Sequence, residues 1–95
     1  MRKAIVIKDS DNVATALAEL TPRQVIFIDL PSGREEITVI DSIPFGHKFA
    51  IRRIFKGQPV IKYGEAIGIA VQDIEVGRTV HVHNLESQRG RGDLV

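Results

Sequence analysis

The amino-acid sequence predicts a single, mostly β domain of short strands with one short helix. The chain has 95 residues, which is enough for one core, because a domain of this size buries only about 60–65% of its unfolded surface. Hydrophobic residues make up 43% of the sequence and aromatic residues only 5%, with no tryptophan. The core is therefore aliphatic, and its many isoleucines and valines favour strands.

Short apolar runs separated by turn residues supply the predicted strands. They cover residues 4–7, 24–29, 36–40, 49–55, 60–70 and 79–84. Proline and glycine mark turns at 31–34 and 56–59. Gly64 and Gly68 fall inside a strand pattern, where glycine indicates a bulge, a sharp bend or a close backbone approach.

The predicted helix follows the acidic residues of 9–11, which are suited to cap a helix N-terminus. Val13, Leu17 and Leu20 then recur at spacings of four and three, and the helix is expected to end before Pro22. No internal repeat or domain linker is evident in the sequence. We expect one domain over 1–95, with a flexible polar tail at 86–95.

Charge and cysteine content exclude several classes of protein. A formal net charge of +1 provides no overall field for nucleic acid or an anionic membrane, so neither is an expected partner. The lack of cysteine excludes disulfides and thiolate metal ligands and is compatible with a cytoplasmic protein. The four apolar residues at 4–7 are too few for a signal peptide or a membrane span.

Two of the three histidines are His81 and His83, in the last predicted strand. Alternate residues of a strand share a face, so both imidazoles point the same way, about 6.6 Å apart at Cα, while Val82 faces the core. Such a pair can bind a divalent metal that other groups complete, or it can simply decorate an exposed strand. Asn84, which follows directly, is suited either to hold a turn or to orient a ligand oxygen.

The third histidine, His47, lies beside Lys48 in a loop shaped by Gly46. The imidazole is a candidate for proton transfer and the ammonium group for binding a substrate carboxylate. The alternative is an exposed turn in which Phe45 plugs the core.

Arg89 and Arg91 offer two guanidinium groups suited to bind the acid group of a substrate. The alternative is a solvated terminal tail with no ligand.

Four segments in order carry a resemblance to a known family: 11–14, 43–50, 56–65 and 77–84. Together they resemble the N-terminal domain of the altronate and galactarate dehydratase family. That domain belongs to the SAF group, which is named for sialic acid synthases, antifreeze proteins and a flagellar chaperone and has the β-clip fold. The resemblance therefore implies a β-clip domain.

The resemblance also implies a function. It suggests a stand-alone small subunit of a lyase that eliminates water or sulfite from a sugar acid or other hydroxy acid, inactive until a large catalytic subunit completes the site. The implied roles are acid or base for His47, carboxylate anchor for Lys48, and metal or substrate binding for His81 and His83, with a divalent metal such as Fe²⁺. Self-association into a homo-oligomer stays open. The alternative function is a non-catalytic module that binds carbohydrate acids.

Overall fold

The computed structural model describes residues 2–87, and this part of the chain consists of nine short strands and no helix. The prediction of a mostly β fold is confirmed. No helix in this range is long and apolar enough to cross a membrane. The strands are β1 (Ala4–Ile5), β2 (Val13–Ala16), β3 (Val25–Leu30), β4 (Gly33–Thr38), β5 (Lys48–Ala50), β6 (Pro59–Lys62), β7 (Glu65–Ala70), β8 (Thr79–Val80) and β9 (Leu85–Ser87).

The strands form three antiparallel sheets. A four-stranded sheet has the order β1-β2-β5-β8, β3 and β4 form a hairpin, and a three-stranded sheet has the order β6-β7-β9. Residues 86–87 of the predicted tail belong to β9, and its remaining positions, 88–95, lie outside the described residues.

The four-stranded sheet separates two apolar cores. Ala14 of β2 and Phe49 of β5 contribute to the first core, whereas their neighbours Val13 and Ala50 contribute to the second. This alternation follows from strand geometry, because successive side chains point to opposite faces. β2 and β5 therefore carry buried residues on both faces.

The helix predicted from residue 11 to residue 20 is wrong, because the chain there forms β2 between β1 and β5. Val13, Ala14 and Ala16 are all buried, and a strand covered on both faces has apolar residues at successive positions. The same apolar positions fit a helical spacing, and packing on two sides outweighed it.

Four turns of the fold share one geometry, which is a repeat that the sequence analysis missed. In each turn the first carbonyl accepts a hydrogen bond from the fourth N–H, and the third residue has a positive φ and donates its N–H to a main-chain carbonyl in or directly after a strand. Each turn follows an apolar residue that forms an isolated bridge, in the pairs Leu20–Ile43 and Ile54–Ile74. The turns cover residues 21–24, 44–47, 55–58 and 75–78.

The repeat is weak in sequence because hydrogen bonds of the main chain carry it. Its only shared signal is an apolar residue followed, three positions later, by a residue with positive φ. That residue is Gly46, Gly57 or Gly77 in three turns and Arg23 in the fourth. A non-glycine residue with positive φ is uncommon, so Arg23 obscured the pattern.

Candidate functional site

Two of the four repeated turns are closed by a glutamine side chain at their fourth position. Oε1 of Gln24 accepts a hydrogen bond of 2.9 Å from the N–H of Thr21, and Oε1 of Gln58 accepts one of 2.8 Å from the N–H of Phe55. The glutamine thus satisfies the N–H of the first turn residue. This is a structural use of the fourth position.

His47 occupies the same fourth position in the turn at 44–47. The first residue of that turn is Pro44, which has no backbone N–H to satisfy. The His47 side chain therefore has no N–H within its own turn to accept from. Its backbone keeps the structural role, since the His47 carbonyl accepts a 2.9 Å hydrogen bond from Ala16 of β2.

The imidazole of His47 stacks on the imidazole of His81. Their ring centroids are 5.1 Å apart and the ring planes meet at 27°. The contact follows from the register of β5 and β8, in which Lys48 pairs with Val80. One step further along the same antiparallel ladder, the residues that face each other are His47 and His81.

The predicted strand over 79–84 is wrong beyond Val80, because the chain turns at residues 81–84. Val82 is 81% exposed and does not face the core. The side chain of Asn84 holds the turn: Oδ1 accepts from the His81 N–H at 2.9 Å, and Nδ2 donates to the Thr79 carbonyl at 2.8 Å. Asn84 is buried, and both of its polar groups serve the main chain. This geometry matches the turn-holding alternative for Asn84.

The turn removes the shared strand face expected for His81 and His83. His81 stacks on His47, whereas His83 lines a separate cavity of about 430 Å³ together with Asp41 and Asp73. Within residues 2–87, no group of three or more histidine, aspartate or glutamate side chains is placed to hold a metal ion. These residues do not fit a complete metal site.

Lys48 opens onto a different cavity, of about 630 Å³, next to the second core. Burial lowers the pKa of the Lys48 ammonium group, and the positive charge of Lys62 lowers it further. His47 does not line this cavity, since consecutive residues of an extended chain point to opposite sides. The lining residues are Lys48, Lys62, Glu65, Ala66, Ile67, Leu85 and Ser87.

Asp11 fixes the hairpin that forms one wall of this cavity. Its Oδ1 accepts a 2.7 Å hydrogen bond from the N–H of Gly64 at the hairpin tip, and its Oδ2 accepts from the N–H groups of Ile7 and Lys8. Burial by itself would raise the pKa of this carboxyl group, but the backbone donors outweigh burial and hold the pKa below its usual value. Asp11 was predicted to cap a helix; in the structure it joins the β1–β2 loop to the β6–β7 hairpin tip.

Two exposed apolar side chains flank the stacked histidines along the chain. Phe45 is 71% exposed in the turn that carries His47, and Val82 follows His81. The alternative in which Phe45 plugs the core is therefore wrong. Arg89 and Arg91, the other predicted site residues, lie outside the described residues.

The structure thus defines a small all-β domain with a histidine pair at the end of one sheet and a lysine-lined cavity beside it. The chain belongs to the family of the altronate/galactarate dehydratase SAF domain, whose model matches residues 2–88. The predicted resemblance and fold class are confirmed.

Known relatives are lyases by name. The chain is 44% identical over 80 residues to altronate dehydratase of Escherichia coli, a match that covers 84% of this chain and 15% of that protein. It is 48% identical over 54 residues to the alpha subunit of (2R)-sulfolactate sulfo-lyase of Chromohalobacter salexigens, covering 57% of each. The alpha subunit from Paracoccus pantotrophus is 47% identical over 53 residues, covering 56% of this chain and 79% of that subunit.

Proposed function

We propose that this chain is the small subunit of a carbon–oxygen or carbon–sulfur lyase, which eliminates water or sulfite from a sugar acid or other hydroxy acid. The observation that carries the proposal is the stacked pair of His47 and His81 at the end of a sheet, in which the His47 side chain has no turn to close. The names of the relatives support the reaction class.

The proposed reaction is a β-elimination. A neutral imidazole accepts the proton from the carbon next to the carboxylate, and the electron pair of that C–H bond forms an enediolate. The electrons then form a carbon–carbon double bond as the β-substituent leaves. A hydroxyl group leaves as water after it takes a proton from a protonated imidazole, whereas a sulfonate group leaves as sulfite.

The stacked pair offers one imidazole for each proton transfer, with His47 as the first candidate for acid or base. Lys48, the next residue, is the proposed anchor of the carboxylate, and its positive charge stabilises the doubly negative enediolate more than the singly negative carboxylate. His47 and Lys48 adjoin in the chain but point to opposite sides of it, so the substrate must reach around the start of β5 from the Lys48 cavity to the histidine pair.

A large partner chain completes this proposed site. The chain spans 15% of the E. coli dehydratase, and the sulfo-lyase relative is named as an alpha subunit, so both names point to enzymes with further parts. Phe45 and Val82 are the two most exposed of the large apolar side chains in residues 2–87, and each lies within two positions of a stacked histidine in the chain. We therefore place the partner on the turns that carry His47 and His81.

A divalent metal such as Fe²⁺ belongs to this proposal only if the partner supplies most of the ligands. Titrating Fe²⁺ or Zn²⁺ into the assembled complex checks this point. Binding that is identical in the wild type and in a His81→Ala/His83→Ala variant would exclude both histidines as ligands.

The reaction is tested by producing the chain together with a large dehydratase-like chain from the same genome. We expect elimination from altronate or sulfolactate by the complex and none by either chain alone. A complex that binds these acids but forms no product would instead identify a carbohydrate-acid binding module.

A further inference from the structure

Two lysine side chains, Lys48 and Lys62, share the larger cavity, and neither takes part in the four ion pairs formed within residues 2–87. Nζ of Lys62 lies 5.0 Å from the centroid of the Tyr63 ring. Glu65 lies across the hairpin from Lys62 and is the one carboxylate on the lining. The cavity wall therefore carries a net positive charge.

Holding these two ammonium groups together costs free energy. Burial and the charge of Lys62 both lower the pKa of Lys48, which means that the site disfavours its charged form. Like charges that repel in an empty cavity are stabilised by a ligand of opposite charge. A negatively charged ligand is the chemistry that this arrangement fits.

The strand that carries Lys62 is held firmly in place. Asn12 binds it before Lys62: its Oδ1 accepts a 2.7 Å hydrogen bond from the N–H of Ile61, and its Nδ2 donates to the Pro59 carbonyl at 3.0 Å. Asp11 binds the hairpin tip after Lys62, at Gly64. The backbone of Lys62 is thus fixed at positions before and after it in the chain, so its place on the cavity wall is built into the fold.

The cavity also has an apolar side. Ile67 and Leu85 line it and pack against the second core. Its volume of about 630 Å³ lies within the range of about 300–1,000 Å³ that is typical of small-molecule sites. Charged groups beside an apolar floor suit a small organic acid, with its acid group on the lysines and its carbon skeleton on the floor.

We propose that Lys48 and Lys62 together bind the carboxylate or sulfonate oxygens of an organic hydroxy acid in this cavity. Lys62 is then a second anchor beside Lys48. The identity of the acid rests on the function proposed above, whereas the binding of an oxyanion between the two lysines does not.

Binding to the isolated full chain tests the proposal directly. Sodium D-altronate, inorganic sulfate and the uncharged alditol D-altritol are titrated while backbone amide NMR shifts are recorded. We expect saturable shifts with the two anions around Lys48 and Lys62, and none with altritol. Lys62→Met should weaken anion binding by about tenfold or more, the loss expected for one charge-assisted hydrogen bond.

Two matched variants separate charge from structure. Lys62→Arg keeps the charge and should bind within about threefold of the wild type. Lys56→Met removes an exposed lysine that does not line the cavity and should leave the affinity unchanged. Circular dichroism confirms that each variant is folded. Equal affinity in Lys62→Met and the wild type, or no saturable binding of either anion up to about 50 mM, would overturn the proposal.

Kinetics of the assembled complex distinguish this inference from the proposed function. If the wild-type complex is active, Lys62→Met should raise KM by about tenfold with little change in kcat, because an anchor holds ground state and transition state alike. An unchanged KM would contradict the role of Lys62. An inactive wild-type complex, together with anion binding by the isolated chain, would reject the lyase function and leave the anion site standing.

Discussion

His47 and His81 face each other where β5 and β8 meet the neighbouring turns, and their rings stack at a centroid distance of 5.1 Å. Each belongs to a different predicted motif, and the antiparallel register of two short strands brings them together. His83, although only two residues from His81, has different neighbours. The pair that matters for the proposed chemistry therefore joins residues 34 positions apart in the chain.

Replacing His47 by glutamine should separate its chemical role from its structural position. The fold already accepts glutamine at the equivalent positions Gln24 and Gln58, so His47→Gln should unfold within about 1 kcal/mol of the wild type. We expect kcat of the assembled complex to fall about 100-fold or more, the usual scale for an acid or base. His81→Ala should cause a similar loss.

The measurements for these variants are steady-state kinetics of the complex and urea unfolding of the isolated chain. Wild-type turnover in both variants would remove the histidine pair from catalysis. A fall in stability that parallels the fall in rate would indicate a structural role instead.

Exposed apolar side chains beside the histidines should control assembly. We expect Phe45→Ser and Val82→Ser to weaken the affinity for the large chain by about tenfold or more, because buried apolar anchors dominate interfaces. Both side chains are largely exposed in the isolated chain, so its unfolding free energy should change by less than about 0.5 kcal/mol.

Calorimetric titration of the large chain with each variant measures this effect. Phe27→Ser is the matched control, because Phe27 is also exposed but lies on the β3–β4 hairpin. If the control weakens assembly as much as Phe45→Ser does, the proposed contact surface is misplaced.

Asp11 should contribute to stability in a pH-dependent way. Its folded-state pKa lies below the unfolded value of about 4, so its contribution is complete above that value and is lost as the pH falls through the lower, folded pKa. Asp11→Asn should cost about 2–4 kcal/mol at pH 7, since three backbone N–H groups lose a charged acceptor.

Urea unfolding between pH 7 and pH 2 should therefore show the gap between the wild type and Asp11→Asn closing only in acid. Asp9→Asn, which removes an exposed carboxylate bound to a single N–H of Ser32, should cost about 1 kcal/mol or less. An equal cost for the two variants would contradict the special role of Asp11.

Lys48 should affect stability in the opposite sense to Asp11, because its charged form destabilises the fold. Because its folded-state pKa is lowered, the folded chain binds fewer protons than the unfolded chain between the two pKa values, and stability rises with pH there. Below the folded-state pKa the charged form carries the full cost. We expect Lys48→Met to be as stable as the wild type or more stable, by less than about 1 kcal/mol, although it disables the complex.

Thermal unfolding of both chains from pH 7 to pH 10.5 measures this difference. The advantage of Lys48→Met should shrink as the pH approaches the unfolded lysine pKa. An advantage that grows with pH would contradict the predicted direction of the shift.

Gly77 should tolerate no side chain, for two reasons. Its φ is +91°, and a Cβ atom would lie 2.3 Å from the Thr38 carbonyl oxygen. Gly46 has a similar φ of +84° but open space around it. We expect Gly77→Ala to cost about 3 kcal/mol or more and Gly46→Ala about 1–2 kcal/mol, from strain of the backbone alone. Equal costs in urea unfolding would show that the close contact is relieved by local movement.

Local signals in the sequence predicted the turns well and the long-range pairings poorly. Proline and glycine placed the β3–β4 turn, and two of the three alternatives for the interior glycines, the sharp bend and the close backbone approach, are realised. Gly64 forms a hairpin tip with φ of +80°, and Gly68 lies in β7 where the backbone of β9 approaches closely. Each of these features depends on the conformation of one residue, which the sequence shows directly.

The sequence by itself determined the strand-rich fold, the lack of thiol chemistry and the likeness to the SAF domain. Tertiary structure decided the rest: β2 became a strand because it is buried on both faces, and His81 met His47 because β5 and β8 pair. Lys62 lines the same cavity as Lys48 because Asp11 and Asn12 hold its hairpin in place. Strand pairing and two-sided burial depend on residues far apart in the chain. A local pattern of apolar and polar residues does not specify which distant strands will pair or which faces will be covered.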